Sequence, residues 1–145
     1  VKDGKNPIVA HEYLGENVEG KDIIVVDDIL SSGESFFHVM DKLKAMGARR
    51  IFGFFTFGLF CNGFDVVDKY YADGKFDRIY ATNSVYNSEA ALSRPWFKEV
   101  IVLKYIAYYI EAVNINKSVG LMLDPTAKIH ALCDEHGVSI PGGAK

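Results

Sequence analysis

Residues 23–35 read Ile23-Ile24-Val25-Val26-Asp27-Asp28-Ile29-Leu30-Ser31-Ser32-Gly33-Glu34-Ser35. A β-branched run ends in two adjacent carboxylates and leads into a small, hydroxyl-rich turn. Ile23 to Val26 is the kind of continuous apolar run that forms a strand buried on both faces. Gly20 marks the turn into it, and Lys21 and Asp22 precede it. Beyond Ser35 the period changes. Phe36, Val39, Met40, Leu43 and Met46 fall at helical spacing, with Asp41, Lys42 and Lys44 on the other side. Gly47 stands where a helix-terminating glycine belongs. The spacing therefore predicts a strand, a tight turn and a helix, with Asp27 to Glu34 at the C-terminal edge of the strand. Open α/β sheets bind their ligands at that edge.

The residue types there suit a phosphorylated sugar such as ribose 5-phosphate. A carboxylate accepts hydrogen bonds and donates none, so it matches hydroxyls and repels phosphate. Turn amides and a helix N-terminus receive anions. Asp27 and Asp28 accordingly belong at the sugar end. Ser31, Ser32 and Ser35, with Gly33 free to take a positive φ, belong at the phosphate end. An Asp-Asp at a strand end followed by Ser-Ser-Gly also describes an ordinary turn capping a helix. Neither Gly-x-x-x-x-Gly-Lys-Ser/Thr nor Gly-x-Gly-x-x-Gly occurs in the chain.

Outward from this stretch the same alternation continues. Arg50 to Phe57 reads as a second buried strand, and Asn62 to Tyr71 as a helix closed by Asp73-Gly74. Arg78 to Ala81 is a third strand, ending at Thr82-Asn83-Ser84. A turn at Ser93-Arg94-Pro95 precedes a fourth strand over Glu99 to Leu103, with helix from Lys104 onward. Asp124-Pro125 starts a last helix running towards His136, with Pro at its first position. This is the α/β pattern of a parallel β-sheet with helices on both faces. At 145 residues it makes one domain, and the tail over residues 137–145 is expected to be loosely ordered.

Composition narrows the class. An apolar content of 49% argues against disorder, and a net charge of −3 gives no general attraction to nucleic acid. The stretch Val100 to Ile110 is too short to span a bilayer and is broken by Lys104. The opening VKDGKNP has no apolar signal core and no Met, which fits a fragment or a processed product. Cys61 and Cys133 are isolated, and His11, His38, His130 and His136 show no metal spacing, so a reduced cytoplasmic setting is expected and both thiols read as structural. Phe52, Phe54, Phe55 and Phe57 read as strand packing, and Tyr105, Tyr108 and Tyr109 as helix packing, rather than as base-stacking platforms.

VVDDILSSGES resembles the phosphoribosyl-pyrophosphate motif of type I phosphoribosyltransferases. Four further stretches narrow the resemblance: Asp3 to Gly15 (DGKNPIVAHEYLG), Thr56 to Gly63 (TFGLFCNG), Asp77 to Tyr86 (DRIYATNSVY) and Ser118 to Ile129 (SVGLMLDPTAKI). Together they resemble the ribose-phosphate diphosphokinases over nearly the whole chain, matching only the C-terminal half of that enzyme. The resemblance implies a type I phosphoribosyltransferase-like fold and a share in transferring the diphosphoryl group of ATP, with Mg²⁺, to the anomeric hydroxyl of ribose 5-phosphate. It implies that Asp27 and Asp28 hold the ribose hydroxyls and that Ser31, Ser32, Gly33, Glu34 and Ser35 form the 5-phosphate loop.

It also implies a homo-oligomer, with ATP and metal contacts coming largely from the N-terminal half. A basic catalytic loop would lie just before the segment matching Asn6-Pro7-Ile8-Val9. On this reading no catalytic residue lies in the chain, and the chain alone makes no product. Three positions depart from the family pattern. Glu34 adds a carboxylate to the phosphate loop, Phe57 stands where many members carry His, and Gly120 replaces the second serine of a regulatory Ser-Val-Ser-like segment. A salvage phosphoribosyltransferase shares the loop, and a catalytically silent synthetase-associated subunit shares the fold. The four flanking matches favour the synthetase.

Overall fold

The strand that begins the decisive stretch does not stop at Val26. In the computed structural model, which describes residues 15–120 and 124–139, β1 spans Asp22–Leu30. It runs parallel to β2, Arg50–Gly58, in a register that pairs Asp22 with Arg50, Asp27 with Phe55, Ile29 with Phe57 and Leu30 with Gly58. The ladder keeps Asp27 and Asp28 extended although acidic residues disfavour strands, because pairing to a neighbour outweighs intrinsic preference. β3, Arg78–Thr82, joins β2, and β4, Phe97–Val100, joins β3, both parallel. The sheet order is β1-β2-β3-β4.

Three helices connect these strands: α1 (Glu34–Ala45), α2 (Asp65–Ala72) and the single-turn α3 (Glu89–Leu92). Sequential parallel strands joined by right-handed crossovers place such helices on one face of the sheet. Burial agrees. Ile51, Phe55, Ile79, Ala81 and Phe97 form one cluster with Phe36, Phe37, Met40 and Leu43 of α1, Val67 of α2 and Ala91 of α3. The alternate positions face the other way, where Ile24 and Val26 are exposed and Phe54 stacks on Tyr80 at 4.5 Å. Phe55 thus packs as the sequence suggests, whereas Phe52, Phe54 and Phe57 stay half-buried. Gly53 admits the core helix closely, since a Cβ there would lie 2.8 Å from the Phe36 ring.

Polar ties fix the helices. The Tyr70 hydroxyl donates to Asp41 at 2.9 Å and Lys75 pairs with the same carboxylate at 2.7 Å, joining α2 to α1. Asp68 accepts from the Trp96 indole at 2.6 Å and from Arg94, whose guanidinium lies 4.0 Å from the Phe64 ring centre. Burial opposes the ionised form of Asp68, but the Arg94 and Trp96 hydrogen bonds outweigh it and leave the carboxyl below its ordinary value.

Several boundaries differ from the sequence expectation. β4 lies two residues earlier because buried Phe97, not Glu99, is the residue that pairs with Ile79. The strand ends where the Asn83 side chain takes the Val102 amide at 2.9 Å. The α3 turn, capped by the Ser88 hydroxyl, goes beyond the simple turn expected at Ser93-Arg94-Pro95. The second compact unit starts at Leu103. It contains α4 (Leu103–Asn114) and α5 (Thr126–Glu135). Pro125 is the cap of α5 rather than its first residue, and the Asp124 carboxylate accepts from the Thr126 amide at 2.9 Å. Tyr105, Tyr108 and Tyr109 are exposed on α4 in the single chain, so they do not pack into a core there. The segment around His11 and residues 140–145 of the expected tail lie outside the described residues. Gly137, at φ 65°, ends α5.

At the N-terminal edge of β1, Asp22 accepts hydrogen bonds from both Arg49 and Arg50, which hold its carboxyl well below the usual carboxylate range. A carboxyl whose folded pKa is depressed stabilises above its unfolded value and loses that contribution as pH falls towards the folded one. Asp22→Asn is therefore expected to lower the thermal midpoint at pH 7. The gap to wild type should narrow as pH drops below about 4. A gap constant down to pH 2 in melting curves would contradict this.

Candidate functional site

The turn after β1 closes on itself at Gly33. This residue caps α1 in the left-handed region, at φ 83° and ψ −5°. A Cβ there would lie 2.6 Å from the Phe37 ring, so both the dihedral and the space demand glycine. The Gly33 carbonyl takes the Phe37 amide at 2.8 Å and starts the helix. No side chain caps α1, so its first amides have no side-chain acceptor from the capping residue.

Around this turn lies a cavity of about 110 Å³, lined by Asp27, Ile29, Leu30, Ser31, Ser32, Gly33, Glu34, Ser35, Phe36 and Phe55. That volume has room for several water molecules. Six of the seven residues expected from the sequence therefore share one concavity. Asp28 does not line it. Alternation along the strand sends neighbouring side chains to opposite faces, and the link between the two is the Asp28 amide, which donates to the Asp27 carboxylate at 2.8 Å. Both acids are exposed.

The hydroxyls are not equivalent. Ser31 donates to the Cys61 sulfur at 3.3 Å. Ser32 lies 3.5 Å from the Glu34 amide, at the outer limit of a hydrogen bond. Glu34 is the first residue of α1 and exposed, where a carboxylate complements the helix dipole. It also lines a second cavity of about 260 Å³ between α1 and α2, with Ser32, His38, Asn62 and Tyr70 among its walls. Phe57 pairs with Ile29 in the ladder, so the position expected to be polar in relatives is part of the strand here.

The sequence reads Cys61 as a structural thiol and gives no sign of its place at the loop. It stands beside the loop, its amide donating to the Ser31 carbonyl at 3.0 Å. Nothing in its spacing signalled this, because the contact spans thirty positions and depends on β1–β2 register. Among the described residues there is no group of three or more His, Cys, Asp or Glu placed to hold a metal. Nor is any helix there long and apolar enough to cross a membrane.

No family model matches the chain. Curated relatives do. The ribose-phosphate pyrophosphokinase of Mycoplasmopsis pulmonis is 30% identical over 111 residues, covering 75% of this chain and 34% of that protein. The ribose-phosphate pyrophosphokinase of Vibrio cholerae is 23% identical over 108 residues, covering 74% of this chain and 33% of its own length. This chain is related to the ribose-phosphate pyrophosphokinases. It spans about a third of the length of the curated relatives it matches. The solved phosphoribosylpyrophosphate synthetase from Mycobacterium smegmatis shares the fold, with a TM-score of 0.61 at 22% identity over 70% of this chain and 33% of that one. The pyrophosphokinase relationship and the parallel α/β sheet agree with the sequence expectation of a type I phosphoribosyltransferase-like fold.

The geometry makes Gly33 the least replaceable residue of the loop. Gly33→Ala is expected to cost on the order of 1–3 kcal/mol from the left-handed backbone alone, with the Phe37 contact adding to it. A urea midpoint equal to wild type would refute the assignment.

Proposed function

We propose that this chain is the ribose 5-phosphate-binding portion of a ribose-phosphate pyrophosphokinase. The observation that supports it most is the single cavity shared by Asp27 and Ser31–Ser35. In this reading Asp27 accepts hydrogen bonds from the ribose hydroxyls. The amides of the loop and of the first turn of α1 receive the 5-phosphate, helped by the Ser32 and Ser35 hydroxyls. Asp28, on the opposite face of the strand and outside the cavity lining, is given no ribose contact in this reading. Glu34 must turn away from bound phosphate, and its exposed place at the helix start leaves room for that.

The reaction proposed for the whole enzyme moves a diphosphoryl group from ATP to the anomeric hydroxyl of ribose 5-phosphate. Such transfers depend on positioning and on cations that neutralise developing charge. The loop cavity is lined by acids, hydroxyls and apolar groups, with no Lys or Arg. This chain therefore orients the acceptor, and charge stabilisation falls to groups outside that lining. Mg²⁺ is usually held by one or two carboxylates together with substrate phosphates. The ion is proposed to come with ATP, held through the substrate phosphates. Homo-oligomeric assembly and a cytoplasmic setting belong to the same proposal.

Two outcomes test it. Asp27→Asn removes charge-assisted hydrogen bonds, so titration calorimetry should show ribose 5-phosphate affinity falling about ten- to hundredfold. Unchanged affinity contradicts the assigned role. Incubated alone with ATP, Mg²⁺ and ribose 5-phosphate, the chain is expected to form no phosphoribosyl pyrophosphate, and product above a protein-free control would refute that division of labour.

A further inference from the structure

The chain leaving β2 turns back onto the phosphate loop. The amides of Leu59 and Phe60 both donate to the Leu30 carbonyl, at 2.9 and 3.2 Å, and the Cys61 amide donates to the Ser31 carbonyl at 3.0 Å. Three successive N–H groups thus converge on the two carbonyls at the root of the loop. The convergence needs a sharp bend, and Phe60 makes it at φ 46°, a conformation rare for a bulky side chain. Its ring is buried, with ring centres 5.2 Å from Phe64, 5.7 Å from Trp96 and 5.6 Å from Phe97. The aromatic core therefore over-determines a strained backbone, a device that clusters at functional sites.

A planar trans peptide points its carbonyl and the following amide in opposite directions. With the Leu30 and Ser31 carbonyls held by the turn, the amides of Ser31 and Ser32 point away from it. We propose that the Leu59–Cys61 turn, anchored by Phe60, is the positioning element of the phosphate loop and aims the Ser31 and Ser32 amides at the bound anion. None of its three residues lines the loop cavity, so they act through Leu30 and Ser31. The inference rests on reading that loop as the 5-phosphate site.

The test uses the full 145-residue chain. Amide exchange followed by NMR should show Leu59, Phe60 and Cys61 protected in the wild type. Free exchange at all three overturns the positioning role alone. Calorimetry with ribose 5-phosphate then compares Phe60→Gly, which keeps the bend and removes the anchor, with Ile79→Ala, which opens the same core away from the loop. Phe60→Gly is expected to weaken binding about tenfold, with Ile79→Ala within about twofold of wild type. Equal weakening in both, or none in Phe60→Gly, overturns the inference. Should Phe60→Gly not fold, Phe60→Leu replaces it with a smaller loss in the same direction, and wild-type affinity in that variant counts against the role. Absence of any wild-type affinity overturns the 5-phosphate reading, and this inference with it.

Discussion

The parallel pairing of β1 with β2 is the constraint on which the rest depends. Its register carries β1 past Asp27 and Asp28 to Leu30, which faces Gly58. That single alignment decides where the strand stops and where the loop begins. It also decides which backbone the returning turn meets. A one-residue slip would exchange the faces of every side chain on the strand. Ile23 and Val25, which pack on the core, would trade places with exposed Ile24 and Val26, and Asp27 would leave the loop cavity. The core enforces the register, since Phe36 of α1 sits over Gly53 of β2 and meets Phe55 edge-on at 5.1 Å.

The two ends of the sheet are electrostatically unlike. At the N-terminal edge, the Asp22 carboxylate is paired with both Arg49 and Arg50. At the C-terminal edge, the loop cavity has acids and hydroxyls and no cation among its walls. An anion drawn there has to be held by backbone amides and the end of α1. Such amides act as fixed dipoles that need no reorganisation when the ligand arrives. A site of this kind gains selectivity from shape, because the carboxylate of Asp27 repels any phosphate that enters in the wrong orientation.

Much of this was legible in the sequence because it is local. The β-branched run, the helical spacing after Ser35 and the glycines at 33 and 47 each encode their own conformation, and both glycines take positive φ. What was hidden depends on distant partners. The extension of β1 through two aspartates comes from β2. The early start of β4 comes from the pairing of Phe97 with Ile79, and α3 comes from a Ser88 cap that no apolar period announces. At the site, the serines and Gly33 could be read from their order alone. The separation of Asp28 from Asp27 could not, because an expected strand end at Val26 left both acids in a loop. The place of Cys61 beside Ser31 was hidden for the same reason as the β1 extension, because that contact is set by register.

The central claim is that the loop after β1 is a preformed anion site. Its most direct test is an amide chemical-shift titration of the chain with ribose 5-phosphate, repeated with inorganic phosphate. The account predicts saturable shifts at Ser31 to Ser35 for both ligands, with Asp27 responding to the sugar phosphate only. Shifts missing from that loop, or confined to the Arg49 and Arg50 edge, would contradict it.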